Sequence, residues 1–135
     1  MSQPVCAIIG AGEGLGRALA AKFASQKFDI ALISRSEAGS AAAIEAAAAV
    51  TANVRFFSAD ATQPDTIESA LAKVADEMDG TDVLIYNARG EFAACEPLDM
   101  TYAALEDIYR VEVVGAFAAA KTVLPAMIKR SRGSI

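Results

Sequence analysis

Four glycines fall at alternate positions of the run Gly10-Ala11-Gly12-Glu13-Gly14-Leu15-Gly16, and the chemistry such a run supports is the binding of phosphate. It lies between the apolar stretch Val5 to Ile9 and a segment of helical periodicity that begins at Leu15. At such a junction the first N–H groups of the helix lack intrahelical partners and the helix dipole presents its positive end. Residues without a Cβ also let a pyrophosphate approach the backbone. Glycines alone describe only a tight turn; the strand before them and the helix after them make the pattern that of a dinucleotide site.

Composition removes other chemistries. The chain has no histidine, so it offers no histidine base, no Ser-His pair and none of the usual zinc sites. Cys6 in an apolar stretch and Cys95 in an expected loop have neither metal-ligand nor disulfide spacing, and read as structural thiols. The net charge is -5, with most acids between residues 59 and 112, which argues against nucleic acid as a partner. Lys129, Arg130 and Arg132 follow a long helical segment, where cations complement the helix dipole and need no partner. No apolar stretch reads as long enough to span a membrane and no basic segment leads into an apolar one. No membrane contact is therefore expected, and a cytoplasmic location is.

Periodicity gives the elements that must position the glycine turn. Val5 to Ile9, Ile30 to Ile33, Val54 to Phe57 and Val83 to Tyr86 are short apolar runs, the pattern of strands buried on both faces of a parallel sheet. Leu15, Leu19 and Phe23 recur every four residues in one intervening helix, and Ile67, Leu71, Val74 and Met78 form the stripe of another that stops near Gly80. Thr62 and Asp65 have the spacing of a capping box, with Pro64 near the helix start. The Ala-rich segment Glu37 to Val50 is helical by propensity and by its place between strands. Thr101 caps a further helical region that runs, with an adjustment near Val111, through Pro125 to about Lys129. The expectation is one α/β domain over residues 1–135, a Rossmann-like doubly wound parallel sheet of strand order 3-2-1-4. Its ligand would lie at the carboxyl ends of strands 1 and 4.

On these elements the motifs resemble those of the short-chain dehydrogenase/reductase family. Gly10, Gly14 and Gly16 stand as G-x-x-x-G-x-G, and Asp82-Val-Leu-Ile-Tyr-Asn-Ala is similar to the family's fourth strand with its N-N-A-G signature. Val111-Glu-Val-Val-Gly-Ala-Phe resembles its V-N-x-x-G-x-F segment, and Leu124-Pro-Ala-Met and Gly133-Ser-Ile resemble the end of its fifth helix and the start of its fifth strand. The resemblance implies the cofactor-binding half of an oxidoreductase that transfers hydride between a nicotinamide dinucleotide and a small carbonyl or alcohol substrate.

Position by position, the resemblance implies that Gly10 makes the turn, Gly14 admits the pyrophosphate, Leu15 approaches the nicotinamide side and Gly16 lets the helix pack closely. Gly12 and Glu13 belong to the same turn. Ser34-Arg35-Ser36 follows the second strand, where an NAD site of the family places a carboxylate for the ribose hydroxyls. With Ser34 in that place and a guanidinium beside it, NADP(H) is expected over NAD(H), although Glu13 near the same phosphate would oppose it. Asp60 matches the aspartate that accepts from the adenine amino group, with the Ala61 backbone completing the contact. Asn87 and Ala88 match the ribose-lining part of the strand 4 signature; Tyr86 replaces its first asparagine and Arg89 its glycine, Arg89 facing either cofactor or solvent. Glu112 stands where the family carries a catalytic asparagine. An ionised carboxylate has no N–H to donate, so Glu112 is either part of an altered proton relay or a salt-bridged helix residue.

The family reaction also needs a tyrosine as general acid/base, a lysine four residues after it, and a serine. Tyr86, Tyr102 and Tyr109 are the only tyrosines and none is followed by lysine at that distance. The catalytic set is therefore expected beyond Ile135, with residues 1–135 the N-terminal portion of a longer domain, inactive alone. The fourth strand is then expected to keep an open edge. The long last helix resembles one used by the family in homodimer and homotetramer contacts. Two other readings stand beside this one: a non-catalytic NAD(P)-binding sensor or structural module, and an S-adenosylmethionine-dependent methyltransferase. Gly10-x-Gly12-x-Gly14 fits a methyltransferase turn, but Ile8 and Ser34 occupy the positions of its acids.

Overall fold

A computed structural model describes residues 2–50 and 53–135. Strands β1 (Val5–Ile9), β2 (Asp29–Ser34), β3 (Val54–Ser58) and β4 (Val83–Tyr86) form one parallel sheet in the order β3-β2-β1-β4, as the sequence implies. Parallel neighbours need crossovers. These are α1 (Leu15–Ser25), α2 (Ala41–Ala48, after the 3-10 turn Ala38–Ser40) and α3 (Pro64–Met78). After β4 come α4 (Tyr102–Tyr109), a π turn (Arg110–Val114) and α5 (Gly115–Arg130). Ile9 lies opposite both Ile33 and Tyr86, so three strands end together where the glycine turn begins.

Alternation along the strands divides the apolar side chains between two cores. Val5, Ala7, Ile9, Ala31, Ile33 and Leu84 pack with Ile67, Leu71, Val74 and Met78 of α3 and Ala119, Val123 and Met127 of α5. Cys6, Ile8, Ile30 and Leu32 pack on the other face with Ala20 and Ala24 of α1 and Ala43 and Ala47 of α2. Burial on both faces is why β1 reads as a continuous apolar run rather than an alternating one. It also pushes the Cys6 thiol up to about 12. Cys95 is exposed, so only Cys6 is the packed structural thiol expected of both.

The helices correct the sequence reading in three places. Leu15 is 61% exposed, and the buried face of α1 is Gly16, Ala20 and Ala24. Small side chains let α1 lie close to the sheet, while Leu19 and Phe23 reach the core from its flank. The capping box at α3 is absent: Gln63 occupies the N-cap without a side-chain bond, and Thr62 turns back to Asp60 instead. Pro64 does occupy the first turn, and the helix ends at Asp79 in the left-handed conformation before Gly80. Finally, α4, the π turn and α5 make one helical run of 29 residues, long and apolar enough by length and composition to cross a membrane. The expectation that no such stretch exists is therefore corrected; Val111, Ala118, Ala119, Val123 and Met127 of this run are buried. Thr101 caps it as expected, its hydroxyl accepting from the Ala104 N–H at 3.1 Å.

The outer edge of β4, expected to be open, is partly paired. Ser134 bridges Val83 in parallel, donating its N–H to the Asp82 carbonyl at 3.0 Å and accepting from the Leu84 N–H at 2.9 Å. The basic end of the chain has partners as well: Arg132 pairs with Asp82 at 2.8 Å and Arg130 donates to the Thr81 carbonyl at 2.8 Å.

Candidate functional site

The carboxyl ends of the strands open onto a cleft of about 1040 Å³. It sits where strand order reverses between β1 and β4, the place where open α/β sheets take ligands. The four glycines of the turn have two different reasons for being glycine. Gly10 has φ +85°, and a Cβ there would lie 2.5 Å from the Ala88 nitrogen; a Cβ on Gly16 would lie 2.8 Å from the Cα of Ala11. The protein itself requires those two. Around Gly12 and Gly14 a Cβ would meet nothing within 4 Å, so packing gives no account of them.

Helix α1 begins at this open space with Gly14 as its N-cap, without a side-chain cap and without an acid in its first turn. Among the described residues, the N–H groups of Gly14, Leu15 and Gly16 find no backbone acceptor. Uncapped donors, a positive dipole end and room left by absent Cβ atoms fit a phosphate group. The strand 4 end is fastened to the same turn: Asn87 donates its N–H to the Ile9 carbonyl at 2.7 Å and its side-chain amide to the Gly10 carbonyl at 3.1 Å.

Of the residues singled out from sequence, Gly10, Gly12, Ser34, Arg35, Ser36, Asp60, Ala61, Asn87, Ala88 and Arg89 line the cleft together. Glu13, Gly14 and Leu15 are exposed outside that lining, and Gly16 is buried beneath the turn. At positions 34–36, where β2 ends, the chain offers hydroxyls and a guanidinium to the cleft, and Glu37, the next residue, is exposed outside the cleft lining. Ser34 shares a 2.7 Å hydrogen bond with the buried Ser40, and the Ser36 hydroxyl accepts from the Gly39 N–H at 3.2 Å. Arg35 and Arg89 are exposed.

Asp60 is built into a turn. The N–H and hydroxyl of Thr62 donate to one of its carboxylate oxygens at 2.9 and 2.8 Å, and these bonds, with a smaller contribution from the Arg35 charge, hold its carboxyl below the usual range. Tyr86, in place of the family-like asparagine, sends its hydroxyl to the Val111 carbonyl within the π turn. Its pKa is pushed up to about 12 by burial and then by the charge of Glu112.

Glu112 itself is exposed and accepts from the Gly90 N–H at 3.2 Å. A hydrogen bond to the loop after β4 replaces the salt bridge considered from sequence. Thr62, Gly39 and Arg110 also line the cleft and were not foreseen. The Asp-x-Thr spacing was a local signal for Thr62, whereas nothing local signals Arg110, which reaches Thr62 across 48 residues. Among the described residues no group of three acids or cysteines is placed to hold a metal ion.

Comparison with known proteins agrees with this geometry. The family model described as short chain dehydrogenase matches residues 4–135. A short-chain dehydrogenase/reductase of Armillaria gallica is 33% identical over 131 residues, which cover 96% of this chain and 50% of that protein. The L-2,3-butanediol dehydrogenase of Corynebacterium glutamicum is 32% identical over 116 residues, 84% of this chain and 44% of its own length. A crystal structure of a short-chain type dehydrogenase/reductase from Mycobacterium marinum superposes with a TM-score of 0.88 at 26% identity, over 98% of this chain and 53% of that one. The chain spans about half the length of the relatives it matches.

Proposed function

The chain belongs to the short-chain dehydrogenase family, and from that premise we propose that it is the cofactor-binding half of an NADP(H)-dependent oxidoreductase acting on a small carbonyl or alcohol. The observation that carries the cofactor reading is the pairing of two features on one cleft. The uncapped glycine turn has open space around Gly12 and Gly14, and the Ser34-Arg35-Ser36 segment has no carboxylate. In this reading the α1 N-terminus holds the pyrophosphate, the Arg35 guanidinium grips the 2′-phosphate, Asp60 and Ala61 take the adenine, and Asn87 and Ala88 flank the ribose beside nicotinamide. A bound nicotinamide supplies hydride chemistry. The chain's own residues bind and orient it, and acid–base groups for the reaction belong to the remainder of a longer domain.

Titration with NADPH and NADH tests the reading. Arg35→Ala is expected to weaken NADPH by at least about tenfold, the loss of a charge-assisted bond, and NADH by little. Absence of NADPH binding at millimolar concentration, or equal losses for the two cofactors, would reject the NADP(H) preference. A second reading, dinucleotide binding without turnover, is favoured by Glu112, whose carboxylate stands at the family's asparagine position. Carbonyl reduction with NADPH, measured on a longer chain that carries the acid–base groups as well as residues 1–135, separates the two readings. A cytoplasmic location and homodimeric or homotetrameric assembly through the long last helix belong to the same proposal.

A further inference from the structure

We infer that Arg110 is a positioning residue for the base end of the cleft, holding the Asp60-Ala61-Thr62 turn so that a single oxygen of Asp60 faces the ligand as an acceptor. The inference rests on the nucleotide reading of the cleft. Arg110 opens the π turn and its Nε–H donates to the Thr62 carbonyl at 2.6 Å, joining the helical wall of the cleft to the loop after β3. Thr62 in turn spends both its N–H and its hydroxyl on Oδ1 of Asp60. The Asp60 N–H donates to the Thr66 hydroxyl at 2.9 Å, which fixes the other side of the turn. Oδ1 therefore carries two donors, and Oδ2 has no side-chain or backbone donor among the described residues.

Arg110, Asp60, Ala61 and Thr62 all line the same cleft. The backbone beside Arg110 is held too, because the Tyr86 hydroxyl anchors the carbonyl of the adjacent Val111. A bond from a cation to a backbone carbonyl is stronger than a neutral one, so it resists displacement of the turn better than the turn's internal bonds alone.

The consequence is selective. An ionised carboxylate oxygen only accepts, so it pairs with the exocyclic amino group of a 6-aminopurine and opposes the carbonyl of a 6-oxopurine. If Arg110 sets the aim of that oxygen, its loss should erode the choice between the two bases and not merely overall affinity.

The test is equilibrium binding of 5′-AMP and 5′-IMP to the protein and to Arg110→Ala and Arg110→Lys. The wild-type chain should prefer AMP by at least about tenfold; Arg110→Ala should bring that ratio below about threefold with little change for IMP; Arg110→Lys, which keeps a cationic donor, should restore most of it. A folded Arg110→Ala protein with an unchanged AMP-to-IMP ratio overturns the inference while leaving the nucleotide site standing. Should Arg110→Ala fail to fold, Arg110→Gln, which keeps an N–H donor but no charge, must lower the ratio, and an unchanged ratio overturns the inference equally. Failure of the wild-type protein to bind either nucleotide removes the nucleotide reading and this inference with it.

Discussion

Gly12 and Gly16 stand four residues apart and answer to different constraints, which makes them a sharp residue-level probe of the turn. A methyl group at Gly16 meets the Ala11 backbone at 2.8 Å, and backbone cannot step aside as a flexible side chain can. Gly16→Ala is therefore expected to cost about 1–3 kcal/mol in chemical denaturation, the range for overpacking. A methyl group at Gly12 meets nothing within 4 Å, so Gly12→Ala should leave the denaturation midpoint in place. Where a phosphate must approach, that same methyl should weaken NADPH by about tenfold or more. Unchanged NADPH affinity in Gly12→Ala would strip the turn of its assigned role. The glycine spacing was legible in sequence because its determinants are local. Asp60 was legible as a residue, but the Thr62 bonds that fix its ionisation were passed over for a capping box. Arg110 was invisible, since its partner is set by where the helical run crosses the loop after β3. For Glu112, sequence gave the identity and not the exposure, and exposure removes the cost that burying its charge would carry.

At the scale of elements, the π turn between α4 and α5 shows what a local irregularity is for. Its Val111 carbonyl accepts from the Tyr86 hydroxyl of β4, which ties the irregular turn to the sheet. Gly115, one residue past the turn, is buried so close beneath that hydroxyl that any Cβ would overlap it. Gly115→Ala should therefore destabilise the fold by about 2 kcal/mol or more, and Tyr86→Phe by about 1 kcal/mol through the lost hydrogen bond. Because removing the hydroxyl also removes much of the clash, the double variant should cost less than the sum of the two single variants. Additive costs in urea denaturation would show that the contact is not what constrains Gly115. The adjustment near Val111 was foreseen from sequence but its partner was not, since Tyr86 is brought there by sheet topology. β1 and β2 were legible to within a residue because burial on both faces leaves unbroken apolar runs, and β3, less buried and interrupted by Arg55, by the apolar residues around that arginine. The face of α1 was misread because Gly16, Ala20 and Ala24 carry little apolar weight, and their small size is what lets the helix lie close to the sheet.

For the whole molecule, the uneven distribution of apolar surface matters more than its amount. Tyr102, Leu105, Tyr109, Val113, Phe117, Leu124 and Ile128 recur at spacings of three, four and seven along the helical run, and all are exposed, Phe117 at 67% and Ile128 at 71%. Single exposed apolar residues are ordinary, but a stripe of this length has the character of an interaction surface. Our proposed homo-oligomer places a second copy there, so the two stripes would meet and exclude water from each other. A carboxylate introduced into the middle of such a contact would be desolvated without a partner. Phe117→Glu is accordingly expected to weaken self-association by about a hundredfold or more, read by sedimentation across a concentration series. Since Phe117 faces away from the sheet, its substitution should leave the denaturation midpoint of the monomer and its binding of AMP unchanged. A wild-type chain that stays monomeric at tens of micromolar, or a Phe117→Glu variant that associates as well as the wild type, would remove the second copy from this surface. Either result would leave the cleft at the sheet's carboxyl edge untouched.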